Sequence, residues 1–314
     1  MPRTSFIEKR DPKGEIERTF RDKYLGDRKT YFYLSVLSIG VLTALVIFSY
    51  LSSYNGRDYR DGEKHLAPRI SAPVHLFGTD ESGRDIFLRT MISTKVFFVP
   101  GLIAISISLL FGTVLGIASG GLWKGKLAAG MEFLSKCLLD ALESFPKYVT
   151  LLLVVLVIPR PTFYEIAVAL GVLNISRMGK LILGQIRSLK EREFIQASEA
   201  LGISKLTLIL RHILLHNCVG LFIIQASSMM AEVILIEIAL NYFGRISGWG
   251  LGITVEPPMP SWGSMLEAGS NHFGDGWWWM TVFPLLAVIG SIGIFYVLGD
   301  SANKVFGVHK SVEE

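Results

Sequence analysis

The chain carries uncharged apolar runs longer than the core of a soluble domain needs. YFYLSVLSIGVLTALVIFSYLSSY has no charged residue from Tyr31 to Tyr54. At about 1.5 Å per residue, a helix of that length outlasts a hydrocarbon core of roughly 30 Å. A cleaved signal peptide has a shorter apolar region and a small-residue cleavage site, so the run reads as a retained anchor. Similar stretches lie at Val96 to Trp123, Met131 to Ile158, Phe163 to Leu183, Ile213 to Leu240 and Trp277 to Gly299. With a mean hydropathy of +0.44, the chain belongs in a bilayer. These six runs predict an all-α, polytopic membrane protein with six transmembrane helices.

Basic residues orient the spans, because Lys and Arg are retained on the cytoplasmic side. The first 30 residues hold nine of them, which puts the N-terminus inside. Six crossings then place Lys124, Lys126, the Arg177 to Arg211 stretch, Lys304 and Lys310 inside as well. The expected organisation is a cytoplasmic segment over 1–30, a first transmembrane helix over 31–54 and an extracytoplasmic loop over 55–95. A five-helix core follows over 96–300, with a cytoplasmic tail over 301–314. The run Trp277-Trp278-Trp279 fits an aromatic belt at the outer interface. A net charge of +4 records this orientation rather than nucleic-acid binding.

The segment EREFIQASEALGISKLTLILRHILLHN, Glu191 to Asn217, is too polar for lipid. Inserting Lys190 to Arg211 buries seven charges at a cost of about 17 to 25 kcal/mol. Leu189, Phe194, Ile195, Ala197 and Leu201 nevertheless form one apolar stripe, Gly202 ends that helix and Ser204 caps the next. An amphipathic helix near 190–204, held off the membrane on a sharp turn, fits a groove in another protein. A helix lying on lipid has more bulky apolar residues and a more basic polar face.

Gln196-Ala197-Ser198-Glu199-Ala200-Leu201-Gly202 resembles the E-A-A-x-x-x-G signature of bacterial ABC importer permeases, with Gln196 for Glu and Ser198 for Ala. HLFGTDESGRD (His75 to Asp85) is similar to a stretch before the second span of C-type subunits in dipeptide/oligopeptide permeases. DALESFP (Asp140 to Pro146), Ile234-Leu235 with Glu237, Leu240 and Gly244, and PSWGSML (Pro260 to Leu266) match further segments of the same family in order. The resemblance implies an ABC importer type I permease-like fold and one half of a translocation path for short peptides. It implies as partners a homologous B-type permease, two cytoplasmic ATPases and an extracytoplasmic substrate-binding protein, all at the bacterial cytoplasmic membrane. Gln196, Ala197, Ser198, Glu199 and Gly202 would couple to an ATPase. The chain would be no enzyme and bind no cofactor, with ATP and Mg held by the ATPase subunits.

Other features read more plainly. GGLWKGKL (Gly120 to Leu127) approaches a phosphate loop but ends in Leu127 where Mg²⁺ binding needs a hydroxyl, and no strand precedes it. Gly112, Gly116 and Gly120, four apart, instead predict a smooth helix face for close packing. His212 and His216 lack a third metal ligand, and Cys137 and Cys218 read as free thiols. Glu232 and Glu237 fall within a span, where a carboxylate is a candidate for the translocation path; Glu237 reads as structural and Glu232 as path-facing. The competing readings are a permease subunit for nickel or another small solute, and a stand-alone ion-coupled transporter.

Overall fold

The computed structural model describes residues 12–51, 67–68, 75–121, 125–158, 161–190, 207–209, 214, 218–246 and 260–306. The expected ATPase-coupling residues Gln196, Ala197, Ser198, Glu199 and Gly202, and His212 and His216, lie outside the described residues. In chain order the helices are α1 (Pro12–Leu51), α2 (Ile86–Ile92), α3 (Thr94–Ser119), α4 (Lys126–Ser144), α5 (Lys147–Val157), α6 (Phe163–Leu173), α7 (Ile175–Lys190), α8 (Val219–Ile246), α9 (Trp262–His272) and α10 (Trp279–Phe306). Among the described residues there is no strand, only an isolated bridge from Thr79 to Asp85. The fold is all-α, as the apolar runs predict.

Among the described residues, five helical stretches are long and apolar enough to cross a membrane: Lys29–Leu51, Ile86–Ser119, Phe163–Lys190, Val219–Tyr242 and Trp279–Val305. The run Met131 to Ile158 differs from the sequence expectation because it is broken. Phe145 is extended, as steric pressure from a following proline requires, and Pro146 leads into α5. α4 is amphipathic, and α5 has 11 residues, or about 16 Å, half of what a single crossing needs. Within 131–158 no single described helix is both long and apolar enough to cross a membrane. Pro100 in α3 and Pro284 in α10 stay inside continuous helices, which neighbouring membrane helices make tolerable.

The glycine stripe of α3 lies on α7, as its spacing predicts. A Cβ at Gly112 would stand 2.9 Å from the Ile175 carbonyl oxygen, and one at Gly116 would stand 2.7 Å from that of Gly179. A Cβ at Gly120 would meet the Ile186 side chain at 2.8 Å. From the other side, Gly179 receives Leu139 of α4, so α7 is sandwiched. Met178, Ile182, Ile186 and Leu189 make the buried stripe of α7. At turn spacing they explain why a helix with Arg177, Lys180, Arg187 and Lys190 still packs.

The helices alternate in direction. Ser49 near the end of α1 donates to the Ile92 carbonyl at the end of α2, while Lys304 of α10 lies 3.9 Å above the ring of Tyr31 in α1. Lys190 at the end of α7 donates to the Gly121 carbonyl beyond α3. The main apolar core joins α3, α5, α6, α8, α9 and α10 through Phe97, Leu151, Phe163, Met229, Trp262 and Phe295. Cys218 is buried and Cys137 is exposed on α4, both as free thiols.

Gly116→Ala drives a methyl onto the Gly179 backbone, which cannot yield as a side chain can, and costs about 1–3 kcal/mol. Gly40→Ala, where nothing lies within 4 Å of the added Cβ, is neutral or stabilises by up to about 1 kcal/mol. Thermal unfolding of the two variants in one detergent distinguishes them.

Candidate functional site

A charged cluster sits where two interruptions of the bundle meet the middle of α8. Glu232 lies near the middle of the Val219–Tyr242 span. Lys147 is the first residue of α5, directly after the Phe145-Pro146 break, and Asn174 closes α6 at its junction with α7. Lys147 Nζ donates to Glu232 Oε1 at 2.9 Å and to Asn174 Oδ1 at 3.1 Å. Asn174 Nδ2 donates to the Leu170 carbonyl at 3.0 Å and faces Glu232 Oε2 at 3.5 Å. Ser108 Oγ of α3 donates to the Asn174 carbonyl at 3.0 Å. Four segments are thus tied at one polar point.

The cluster solves an electrostatic problem. A carboxylate at the centre of a membrane helix costs about 2.5–3.5 kcal/mol on insertion scales. A cation at hydrogen-bonding distance offsets that cost only if its own lone donors are satisfied. Lys147 and Asn174 supply the pairing. Asn174 is fully buried, yet the Lys147 side chain keeps 27% and Glu232 11% of its surface open. Leu235 and Ala239, on the same face of α8, are exposed too.

Glu237 is placed differently. Its side chain is buried, accepts from Asn241 Nδ2 at 2.9 Å and faces Ser261 and the Gly263 backbone at the start of α9. A Cβ on Gly263 would meet the Cα of Ile238 at 3.0 Å, so α9 is pressed onto α8 beside this carboxylate. The two glutamates are therefore in separate environments, one at an open face and one sealed between α8 and α9. Nothing in the sequence pattern joined Lys147 or Asn174 to Glu232. The available signals are a lysine after a proline and an asparagine interrupting an apolar run, and each is a local feature with no pattern tying it to Glu232.

The HLFGTDESGRD segment folds as a tight loop capping one end of the bundle. Gly78 and Gly83 take positive φ of 77° and 76°, which lets the chain reverse twice in a few residues. Asp80 accepts from the Ser82 and Arg84 backbones at 2.8 and 3.0 Å and from Arg84 Nε at 2.5 Å. Asp85 caps α2 by accepting from the Leu88 N–H at 2.8 Å and also meets His75 Nδ1 at 2.8 Å. Trp279 is buried and donates from Nε1 to the Thr79 carbonyl at 3.2 Å, and Trp277 packs on His272. Of the three tryptophans expected as an interfacial belt, Trp278 is the exposed one and Trp279 is a wedge under this loop. Its indole found a buried carbonyl there, which outweighs an interfacial position.

A cleft of about 420 Å³ lies between this loop and α9, with Asp80, Glu81, Arg84, Arg89, Glu267 and His272 in its wall. His272 Nε2 contacts Glu81 Oε2 at 2.9 Å and Nδ1 contacts Asp275 at 3.3 Å. At the opposite end, Lys180 of α7 holds Asp140 of α4 at 2.8 Å and also Glu143. The DALESFP segment thereby fastens α4 to α7 immediately before the helix breaks. Among the described residues, no three His, Cys, Asp or Glu side chains group as metal ligands.

Removing one member of the central pair leaves a charge without its partner, whereas removing both does not. Lys147→Met is expected to lower stability by about 1–3 kcal/mol, and Lys147→Met with Glu232→Leu to recover most of it. Equal losses in the single and double variants, read by thermal unfolding in detergent, would mean the pair does not stabilise. A second outcome concerns pH. Contact with Glu81, and secondarily Asp275, raises the His272 pKa. That stabilisation is complete below the usual histidine pKa of about 6.5 and is lost as pH rises through the raised value. Wild type should therefore lose more stability than His272→Gln as pH rises above about 6.5.

No protein-family model matches the chain. The dipeptide transport system permease protein DppC of Bacillus subtilis is 30% identical over 238 residues, 76% of this chain and 69% of the relative. The oligopeptide transport system permease protein OppC of Haemophilus influenzae is 29% identical, covering 87% and 85% respectively. OppC of Salmonella typhimurium is 29% identical over 94% of this chain and 92% of its own length. An all-α bundle with five long apolar helices, aligned along most of its length with these proteins, belongs to the dipeptide and oligopeptide transport system permease family and is a multi-pass membrane permease.

Proposed function

We infer that the chain is the C-type permease subunit of an ATP-driven importer of short peptides and contributes one half of its translocation path. The observation that carries this reading is the paired charge of Glu232 and Lys147 on an open helix face at membrane depth, in a chain whose relatives are named for dipeptide and oligopeptide transport. Charged side chains in spanning segments mark solute paths and energetic coupling because lipid does not tolerate them idle. Glu232 faces the path, and Glu237 holds α9 on α8.

Energy comes from outside the chain. α7 runs from Asn174 at the central cluster to Lys190, where the polar 190–204 segment follows. In this reading Gln196, Ala197, Ser198, Glu199 and Gly202 seat a short helix in a cytoplasmic ATPase that holds the ATP and Mg. Closure of two such ATPases displaces the helix, and α7 carries the displacement to the helix breaks as a rigid body. A homologous B-type permease supplies the other half of the path, and an extracytoplasmic binding protein delivers the peptide. Both termini face the cytoplasm, with residues 1–30 and 301–314 inside and 55–95 outside the bacterial cytoplasmic membrane.

Purification of the tagged chain from its native membrane tests the assembly. ATPase subunits are expected to accompany wild type, and Gly202→Asp, which strains the turn after the docking helix, is expected to lose them or to hydrolyse ATP without uptake. Uptake that follows an ion gradient in vesicles, with no ATPase under several mild detergents, would overturn the reading.

A further inference from the structure

Glu232 has a counter-ion that the sequence did not link to it, and both charges belong to interrupted helices. In transporters, solute sites gather near mid-membrane where helices are discontinuous, because unwound ends free polar groups that a continuous helix would consume. Two interruptions meet Glu232 here: the Phe145-Pro146 break before Lys147, and the α6/α7 junction at Asn174. The backbone near Asn174 is held by Ser108, and its amide side chain by Leu170. Lys147 and Glu232, by contrast, are the members that reach an open surface. A face bearing an ammonium at that depth adjoins water or another subunit rather than lipid.

We propose that Lys147 and Glu232 form a solute-contact station on the path, where the Lys147 ammonium meets anionic groups of the passing peptide and the Glu232 carboxylate meets cationic ones. The proposal rests on the peptide-importer reading above. At rest the two charges satisfy each other at 2.9 Å, with Asn174 holding the lysine at 3.1 Å. A peptide carrying both signs replaces that pair by two new ones, so net charge in the path stays constant throughout the exchange. Asn174, buried and fixed to three segments, is a positioning residue for both.

The test uses the whole importer in proteoliposomes. Maximal uptake is measured with the binding protein saturated by Ala-Ala, Ala-Glu or Ala-Lys, for wild type, Lys147→Gln and Glu232→Gln. With Lys147 neutral, the remaining carboxylate repels anions, so the Ala-Glu to Ala-Lys ratio falls by at least about fivefold; with Glu232 neutral it rises by a similar factor. Lys147→Glu combined with Glu232→Lys keeps one charge of each sign and keeps the wild-type ratio. ATP hydrolysis by each preparation reports assembly. Should Lys147→Gln not assemble, Glu232→Gln against wild type carries the ratio test alone. A uniform fall for all three peptides would overturn the station and leave a structural clasp. Failure of wild type to move any of the three would overturn the peptide reading beneath it.

Discussion

The close approach of α3 and α7 sets where everything else in the bundle can sit. Gly112, Gly116 and Gly120 offer no Cβ, so the backbone of α7 lies directly on α3, and Ser108 of α3 is brought within 3.0 Å of the Asn174 carbonyl. In a bilayer, helices gain little from burying apolar surface against each other, since lipid is equally apolar. Close backbone packing and the few polar contacts it permits therefore decide the geometry. Asn174, fixed in this way, brings the α6/α7 junction to Lys147 and Glu232. The position of the central charge pair thus depends in part on three small residues on a different helix.

The two ends of the bundle are secured by other means. At one, charged and hydrogen-bonded groups fold His75 to Asp85 into a cap that Trp279 underpins and His272 clamps through Glu81. At the other, Lys180 ties α7 to Asp140 and Glu143 of α4. Ion pairs of solvent-accessible side chains such as these are weak singly and effective as networks. The Lys147–Glu232 pair at the bundle centre, by contrast, cannot be separated without leaving a charge in a medium of low dielectric.

Helix interruptions are the structural theme that joins fold and function. Pro146 forces Phe145 out of the helical region, and Asn174 ends α6 in a turn that starts α7 without a loop. Each break frees a helix terminus inside the bundle, which is costly in lipid but useful where a polar solute passes. α7 then extends from one such break to Lys190 as a single element with a continuous buried stripe. A rigid rod with a polar pivot at one end can transmit displacement without unfolding.

Much of this was legible in the residues. Long apolar runs from Tyr31 onward read as a polytopic helical protein because lipid is the solvent that accommodates them, and the four-residue glycine spacing read as a packing face because period and size leave little else. The break within Met131 to Ile158 was less visible, since proline in a membrane helix is often absorbed, as at Pro100 and Pro284. Trp279 read as interfacial because an indole suits a water boundary; its carbonyl partner lies 200 residues earlier. By itself the sequence determined which segments enter lipid and which carry charge, since transfer free energy is a local property of side chains. Only the tertiary structure decided that Lys147, Asn174 and Glu232 share one site, because pairing across 85 residues of chain depends on how the helices pack, and no local pattern encodes that.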